Sequence, residues 1–433
     1  MRRRKNIQSI MNKRITRRDA ITTAGKIAIT AVVAGVVAGI GGYFAGGGGA
    51  PAKTVTETVT KTAPPKTVTK TVEKTIGAAK TVTETVEKTV TKTVTVTAAP
   101  PAPKVKKVDV AFWVGNLASP YWISCKDGAE KAAKDINDYF GKEVLTVTTF
   151  DAKDDPAVQT SQIESAIGAG IYEAAVLPAV VAEAMVPAFK KLYDAGIPTI
   201  TYDREIAPEG RKYRLFCIIT DNVDAAARQT ETLIKYLEAS GKPKPWKICI
   251  CLGHPGASSA EDRKAGHHMV LDPLVEKGDV EIVYETYHEG WKRELARATV
   301  ESVLTKNPDL AGVVCSNDDM ALGAVAAVEG AGLEPGKDVL IAGFDAISEA
   351  VEAVRKGKMN VTVAQAPKIM GYWGVYAAFL HVNTGWKPAV EVIPSPAIVV
   401  TKENVEVFAP MVEPPRWDLW KKYGPTLEEA FPR

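Results

Sequence analysis

Asp203, Arg204, Asn317, Asp345 and Gln365 are all side chains that hydrogen-bond through a fork. Carboxylates accept twice, a guanidinium donates twice, and primary amides do one of each. Gathered in one place, they suit a guest whose adjacent hydroxyls both donate and accept, such as a sugar or polyol. Each stands one step beyond a β-rich run, as do Asn116 and Ser119 after the first such run. In open α/β sheets, ligands bind in the crevice beyond the carboxyl ends of the strands. Flat rings stand near the same points: Tyr121 and Trp122 early, Trp291 later. Such rings cover the C–H faces of a pyranose while planar polar groups hold its rim, the mixed wall of a small-ligand pocket.

Plainer roles compete for the same residues. Asp318 or Asp319 can cap the helix that begins near Met320. Asp203-Arg204 can form a local salt bridge, Asn317 can tie down a turn, and Trp122 can be core within an amphipathic helix. What argues for a shared site is the repetition, one forked group after strand upon strand.

Signatures of catalysis are missing. The chain has no Walker A loop, no G-x-S-x-G elbow, no H-E-x-x-H and no strand-linked G-x-G-x-x-G. His267-His268 cannot aim both rings at one metal from a helix face, so it reads as a surface pair. The five cysteines lack zinc-type spacing, and Cys249-Ile250-Cys251 sits in an apolar run, which makes them small core hydrophobes. No enzyme activity, cofactor or metal is expected. A net charge of +3 is too small to argue for nucleic acid, and 46% apolar content is ordinary for a globular protein.

The elements that must position these groups follow from Val108 onward. Expected strands are Val108–Val114, Glu143–Phe150, Ala174–Leu177, Pro198–Thr201, Leu215–Ile219, Lys247–Leu252, Glu281–Glu285, Gly312–Cys315, Val339–Ala342 and Asn360–Val363. Helical patterns such as Tyr121–Tyr139 and Thr299–Thr305 lie between them. Strand-helix alternation predicts a parallel sheet with covering helices. About ten strands exceed one small doubly wound unit, so the α/β body is expected as two such lobes.

Upstream, eight Arg and Lys residues between Arg2 and Arg18 precede an uncharged stretch from Ile27 to Ala45. Its length is close to the roughly 20 residues of a bilayer-spanning helix, and the basic cluster should stay cytoplasmic. The segment, bounded at 1–26 and 27–50, reads as a cleaved signal or a retained anchor; Thr16 to Ile21 looks like a twin-arginine export signal without its usual apolar pair. Residues 51–106 are low complexity, Thr- and Val-rich and broken by prolines. With nothing large to bury, this stalk is expected to be disordered, a spacer that favours retention of the anchor.

From about Lys107 to Val405 the chain resembles the ribose and galactose class of periplasmic sugar-binding proteins. The motifs are Ser119-Pro120-Tyr121-Trp122, the Ile197 to Arg204 strand with its Asp-Arg end, Ser316-Asn317-Asp318-Asp319-Met320, Gly343-Phe344-Asp345 and Thr362-Val363-Ala364-Gln365. The loop from Gly253 to Arg263 resembles the one that supplies a binding arginine, here Arg263, with His254 in place of an apolar residue. The resemblance implies two Rossmann-like lobes, at 107–220 plus 366–395 and 221–365 plus 396–412. They would be joined by a hinge of three crossings near Thr220, Gln365 and Ser395. It implies a monomer that closes on a monosaccharide or polyol and hands it to an ABC permease with its ATPase, outside the cytoplasmic membrane. A sugar-sensing ectodomain with a separate membrane signalling partner is the alternative. Ser119 stands where ribose binders carry asparagine, so ribose itself is not implied. The tail at 413–433 lies outside the resemblance.

Overall fold

The computed structural model describes residues 105–432 together with β1 (Glu57–Val59) and β2 (Val94–Val96). The basic N-terminus, the apolar stretch at 27–45 and most of the stalk lie outside these residues. β1 and β2 pair antiparallel, with Glu57 opposite Val96 and Val59 opposite Val94. That departs from a wholly disordered stalk; alternating Thr and Val are good strand formers once two copies meet. Among the described residues no helix is long and apolar enough to cross a membrane.

The body, from Ala99 onward, begins with β3 (Val108–Val114), α1 (Pro120–Phe140), β4 (Leu145–Asp151), α2 (Pro156–Ala169), β5 (Ala174–Leu177), α3 (Val186–Asp194), β6 (Thr199–Tyr202) and β7 (Cys217–Ile219). The chain continues through α4 (Asn222–Ser240), β8 (Trp246–Leu252), α5 (Ser258–Glu276), β9 (Val280–Tyr287), α6 (Arg293–Lys306), β10 (Leu310–Cys315), α7 (Asp318–Gly330), β11 (Leu340–Ala342), α8 (Ser348–Arg355) and β12 (Thr362–Ala364). It finishes with α9 (Pro367–Thr384), β13 (Val392–Pro394), β14 (Ile398–Val400), α10 (Trp417–Trp420) and α11 (Leu427–Ala430).

Two sheets result. The first has the order β13-β7-β6-β5-β3-β4 and the second β11-β10-β8-β9, parallel throughout. β3 and β8 show why: Val-Asp-Val-Ala-Phe-Trp-Val and Trp-Lys-Ile-Cys-Ile-Cys-Leu are buried almost end to end, as strands covered by helices on both faces must be. Each sheet with its helices makes one lobe. β3 and β5 keep the expected bounds, and the other expected strands shift by about two residues at most. β13 and β14 were not expected, being three residues each and next to Pro394 and Pro396.

The chain passes between lobes three times. It leaves β7 of the first sheet for α4, which packs on β10 and β11 of the second. It leaves β12 for α9, which packs on α1 and the first sheet. It leaves β13 for β14, which pairs antiparallel with β12. At these passages Thr220 Oγ1 lies 2.9 Å from Ser395 Oγ and 3.3 Å from Gln365 Oε1, and Ser395 Oγ donates to the Gln365 carbonyl at 3.3 Å. Three residues far apart in sequence thus form one buried cluster.

Candidate functional site

Gly115 follows β3 and Gly253 follows β8, the equivalent points of the two lobes. A Cβ on Gly115 would lie 2.5 Å from the Trp122 ring, and one on Gly253 would lie 2.1 Å from the Trp291 ring. Glycine at each strand end therefore lets an indole lie directly on the backbone. The two rings wall a cleft between the lobes.

Beyond the other strand ends stand the polar groups. β6 delivers Asp203, whose φ of 61° turns the chain sharply so that Asp203 and Arg204 both face inward. Tyr121, in the first turn of α1, donates its hydroxyl to Asp203 Oδ1 at 2.5 Å. Arg204 donates from Nη1 to Asp154 Oδ1 at 2.7 Å, with its guanidinium carbon 5.0 Å from the Trp122 ring and 5.5 Å from that of Trp291. On the second lobe, Arg263 donates from Nε to Asn222 Oδ1 at 2.9 Å and from Nη1 to the Ser316 carbonyl at 2.7 Å. It lies 3.8 Å over the Phe344 ring. Gln365 donates to Asp345 Oδ1 at 2.5 Å. Asn317 caps α7, its Oδ1 accepting from Met320 N at 2.9 Å, so its amide nitrogen is left for the cleft.

Arg204 and Arg263 are 3% and 2% exposed, a burial that arginine rarely tolerates unless paired or at work. Burial works against the charge of Arg204, yet the Asp154 and Asp203 carboxylates hold its pKa above the ordinary value. Burial drives the Asp345 carboxyl well above the usual carboxylate range, against the pull of Arg263. Burial, with Asp203 alongside, also holds Tyr121 protonated. Two buried donors in this cleft, Arg204 Nε and Trp291 Nε1, have no hydrogen-bond partner among the described residues. Native structures rarely leave such groups unmatched. The cleft is tight, with about 40 Å³ of free volume between the lining side chains.

Eleven of the twelve residues singled out in the sequence line this cleft: Asn116, Ser119, Tyr121, Trp122, Asp203, Arg204, Arg263, Trp291, Asn317, Asp345 and Gln365. His254 does not. Its Nδ1 accepts from Gly290 N at 3.0 Å, so it braces the turn carrying Trp291 from behind. Asp318 is also withdrawn. Its carboxylate accepts from Thr362 Oγ1 at 2.7 Å and Ile347 N at 2.9 Å, joining two loops under the cleft. Trp122 serves both readings, being buried core and cleft wall. The local Asp203-Arg204 salt bridge forms as well, with Asp203 Oδ2 3.7 Å from Arg204 Nε, beside the shorter Arg204-Asp154 pair.

Asp154, Ser259 and Asp319 line the cleft as well and were not singled out as ligand groups. Asp154 follows β4 and so obeys the strand-end rule, which could have found it. Ser259 lies in the first turn of α5, and Asp319 is held by Arg293 at 3.1 Å; neither carries a local signal. His267, expected at the surface, is fully buried, with Nδ1 3.0 Å from Thr230 Oγ1 and Nε2 3.3 Å from Ser316 Oγ. All five cysteines are buried and free, as expected of small core residues, and no metal-binding cluster is found among the described residues.

The lobes touch in front of the cleft. Ala182 N donates to the Gly256 carbonyl at 3.0 Å and Glu205 N to Ser258 Oγ at 2.8 Å, while Ser119 Oγ reaches Asp319 Oδ2 at 3.4 Å.

Residues 110–385 match the periplasmic binding protein domain. The ribose import binding protein of Bacillus subtilis is 29% identical over 273 residues, which are 63% of this chain and 81% of that protein. The D-apiose import binding protein of Paraburkholderia graminis is 28% identical over 261 residues, 59% of this chain and 78% of its own. Among solved structures, an ABC transporter solute-binding protein from Actinobacillus succinogenes with bound D-allose shares 31% identity at a TM-score of 0.59, covering 69% of this chain and 99% of that one. One from Agrobacterium vitis bound with α-D-tagatopyranose shares 26% identity at a TM-score of 0.62, covering 72% and 100%. These relatives are binding components of transporters and not enzymes. With two parallel-sheet lobes, a cleft between them and a family match over most of its body, the chain belongs to the periplasmic binding protein family, of the ribose and galactose type.

Proposed function

We propose that this protein captures a neutral monosaccharide or polyol between its lobes and passes it to an ABC permease driven by its ATPase. The observation that carries the reading is convergence. Forked polar side chains from both lobes, flanked by Trp122 and Trp291, meet in one cleft. Relatives bind D-allose, myo-inositol and α-D-tagatopyranose, so the ligand class is a polyhydroxylated ring. Residues 27–45 hold the protein at the outer face of the cytoplasmic membrane, and the stalk lets the body reach the permease.

Release is set by the hinge. Thr220, Gln365 and Ser395 lie where the chain crosses between lobes, so small backbone changes there rotate one lobe against the other. Gln365 belongs to that cluster and also donates to Asp345 in the cleft, which links occupancy to lobe arrangement.

Thermal unfolding of the protein with D-ribose, D-allose, D-tagatose, L-arabinose and myo-inositol tests the proposal. A ligand present at a hundred times its Kd adds about 2.7 kcal/mol of stability. At least one of these should raise the melting temperature; no response to any sugar or polyol would overturn the reading.

A further inference from the structure

The tail beyond β14 is fastened to both lobes. On the second lobe, Tyr236 of α4 donates to Glu403 at 2.9 Å, and Arg355 of α8 donates from Nε to Glu406 Oε1 at 2.7 Å. Val405 and Phe408 are buried there. A few residues later the chain is on the first lobe. Lys368 of α9 donates to Glu413 Oε1 at 2.9 Å, and Trp373 Nε1 donates to the Pro415 carbonyl at 2.8 Å. Trp420, wholly buried, packs against Trp373 and Tyr376 with ring centroids 5.6 and 5.3 Å apart. Tyr139 of α1 donates to the Phe431 carbonyl at 2.8 Å. The exposed ion pairs contribute little; the buried aromatic seat on α9 and α1 is the strong anchor. Between the anchors, the turn Ala409–Met411 borders a groove of about 480 Å³ whose other walls include Pro120 and Ser124 from the first lobe and Ile347 and Val351 from the second.

From this double anchorage we infer that residues 408–413 are a fourth crossing between the lobes, a strap that limits how far the cleft opens. Six residues span at most about 20 Å, at ~3.3–3.6 Å each. The three hinge crossings turn by changing backbone angles. A fourth connection, fixed at both ends, must instead lengthen when the lobes rotate apart, first by unwinding the compact turn at Ala409–Met411 and then by loading an anchor. The strap therefore narrows the range of open arrangements and biases the empty protein toward the closed one, which lowers the conformational cost of binding.

The test lengthens the strap and leaves both anchors in place. A flexible insert of about eight Gly and Ser residues, containing a protease recognition sequence, is placed after Met411, which is 49% exposed. Spin labels go on Lys190→Cys of α3 and Lys337→Cys near β11; the five native cysteines are buried. Distances between labels are measured in the full chain without sugar, before and after the insert is cut, so that folding is complete before the strap is severed. The distribution should move to longer, broader separations with the insert and further after cleavage. Distributions that superimpose on those of the uninterrupted chain would overturn the strap. No ligand enters this measurement, so its failure is distinct from failure of the sugar-binding proposal.

Discussion

Arg204 Nη1 donates to Asp154 Oδ1 at 2.7 Å, and the two side chains are 3% and 5% exposed. The pair joins the end of β6 to the end of β4 and holds the guanidinium within reach of the Trp122 and Trp291 rings. Removing one partner of a buried pair costs about 3–5 kcal/mol when the other charge is left alone; Asp203, 3.7 Å from Arg204 Nε, keeps Asp154→Ala near the lower end of that range. Asp154→Ala should lower stability by that order in denaturant unfolding and abolish sugar binding. Asp154→Asn, which keeps an acceptor, should cost less on both counts.

Asp203 and Asn317 face the cleft from opposite lobes. Asp203→Ala and Asn317→Ala should each weaken sugar binding by more than tenfold, about 1.4 kcal/mol, since each leaves buried partners unmatched. Calorimetry on the sugar found by thermal screening checks this. Unchanged affinity in both variants would reject the pocket.

The Trp291 ring occupies the space that a Cβ on Gly253 would need. Gly253→Ala should push the indole into the cleft and reduce affinity by at least tenfold, with a changed tryptophan emission spectrum. The same substitution at exposed Gly168, where a Cβ meets nothing within 4 Å, should leave binding unaltered.

His267 is buried against Thr230 and Ser316, and burial together with Arg263 lowers its pKa to about 3. The ordinary value is near 6.5, so below that pH the unfolded chain takes up a proton that the folded one refuses. The stability that His267 confers is complete above about pH 6.5 and is lost as the pH falls toward 3. Between pH 7.5 and 5 the loss is roughly 2 kcal/mol, at about 1.36 kcal/mol per pH unit. Urea unfolding at both pH values should show a smaller difference for His267→Gln than for the natural chain.

Lys106 N donates to Asn383 Oδ1 at 2.8 Å, which ties the start of the body to α9. Deleting residues 1–104 spares that bond and should yield a soluble protein with unaltered sugar affinity. Insolubility, or lost binding, would count against the stalk as a simple spacer.

Much of the cleft was legible because one rule covers it: a polar group just beyond a parallel strand faces the crevice. Asp203, Asn317, Asp345 and Gln365 obey it and meet there. Thr220 and Ser395 were reachable only through motif resemblance, since nothing in their own side chains marks a crossing. The resemblance misled at His254, which turns behind the wall to brace Gly290. His267 was misplaced because adjacent histidines on a helix fall about 100° apart, so one can be buried while its neighbour meets solvent. The tail was opaque for another reason: its tryptophans advertise burial without naming the surface that receives them, and that surface is set by tertiary packing of α1 and α9.

Cys125, Cys217, Cys249, Cys251 and Cys315 are all buried and unpaired. Small secreted domains lean on disulfides because their cores are too slight to hold alone; this body has two lobes' worth of interior and does without. Formation of this body therefore consumes no oxidant, and its stability does not depend on the redox poise of the surroundings.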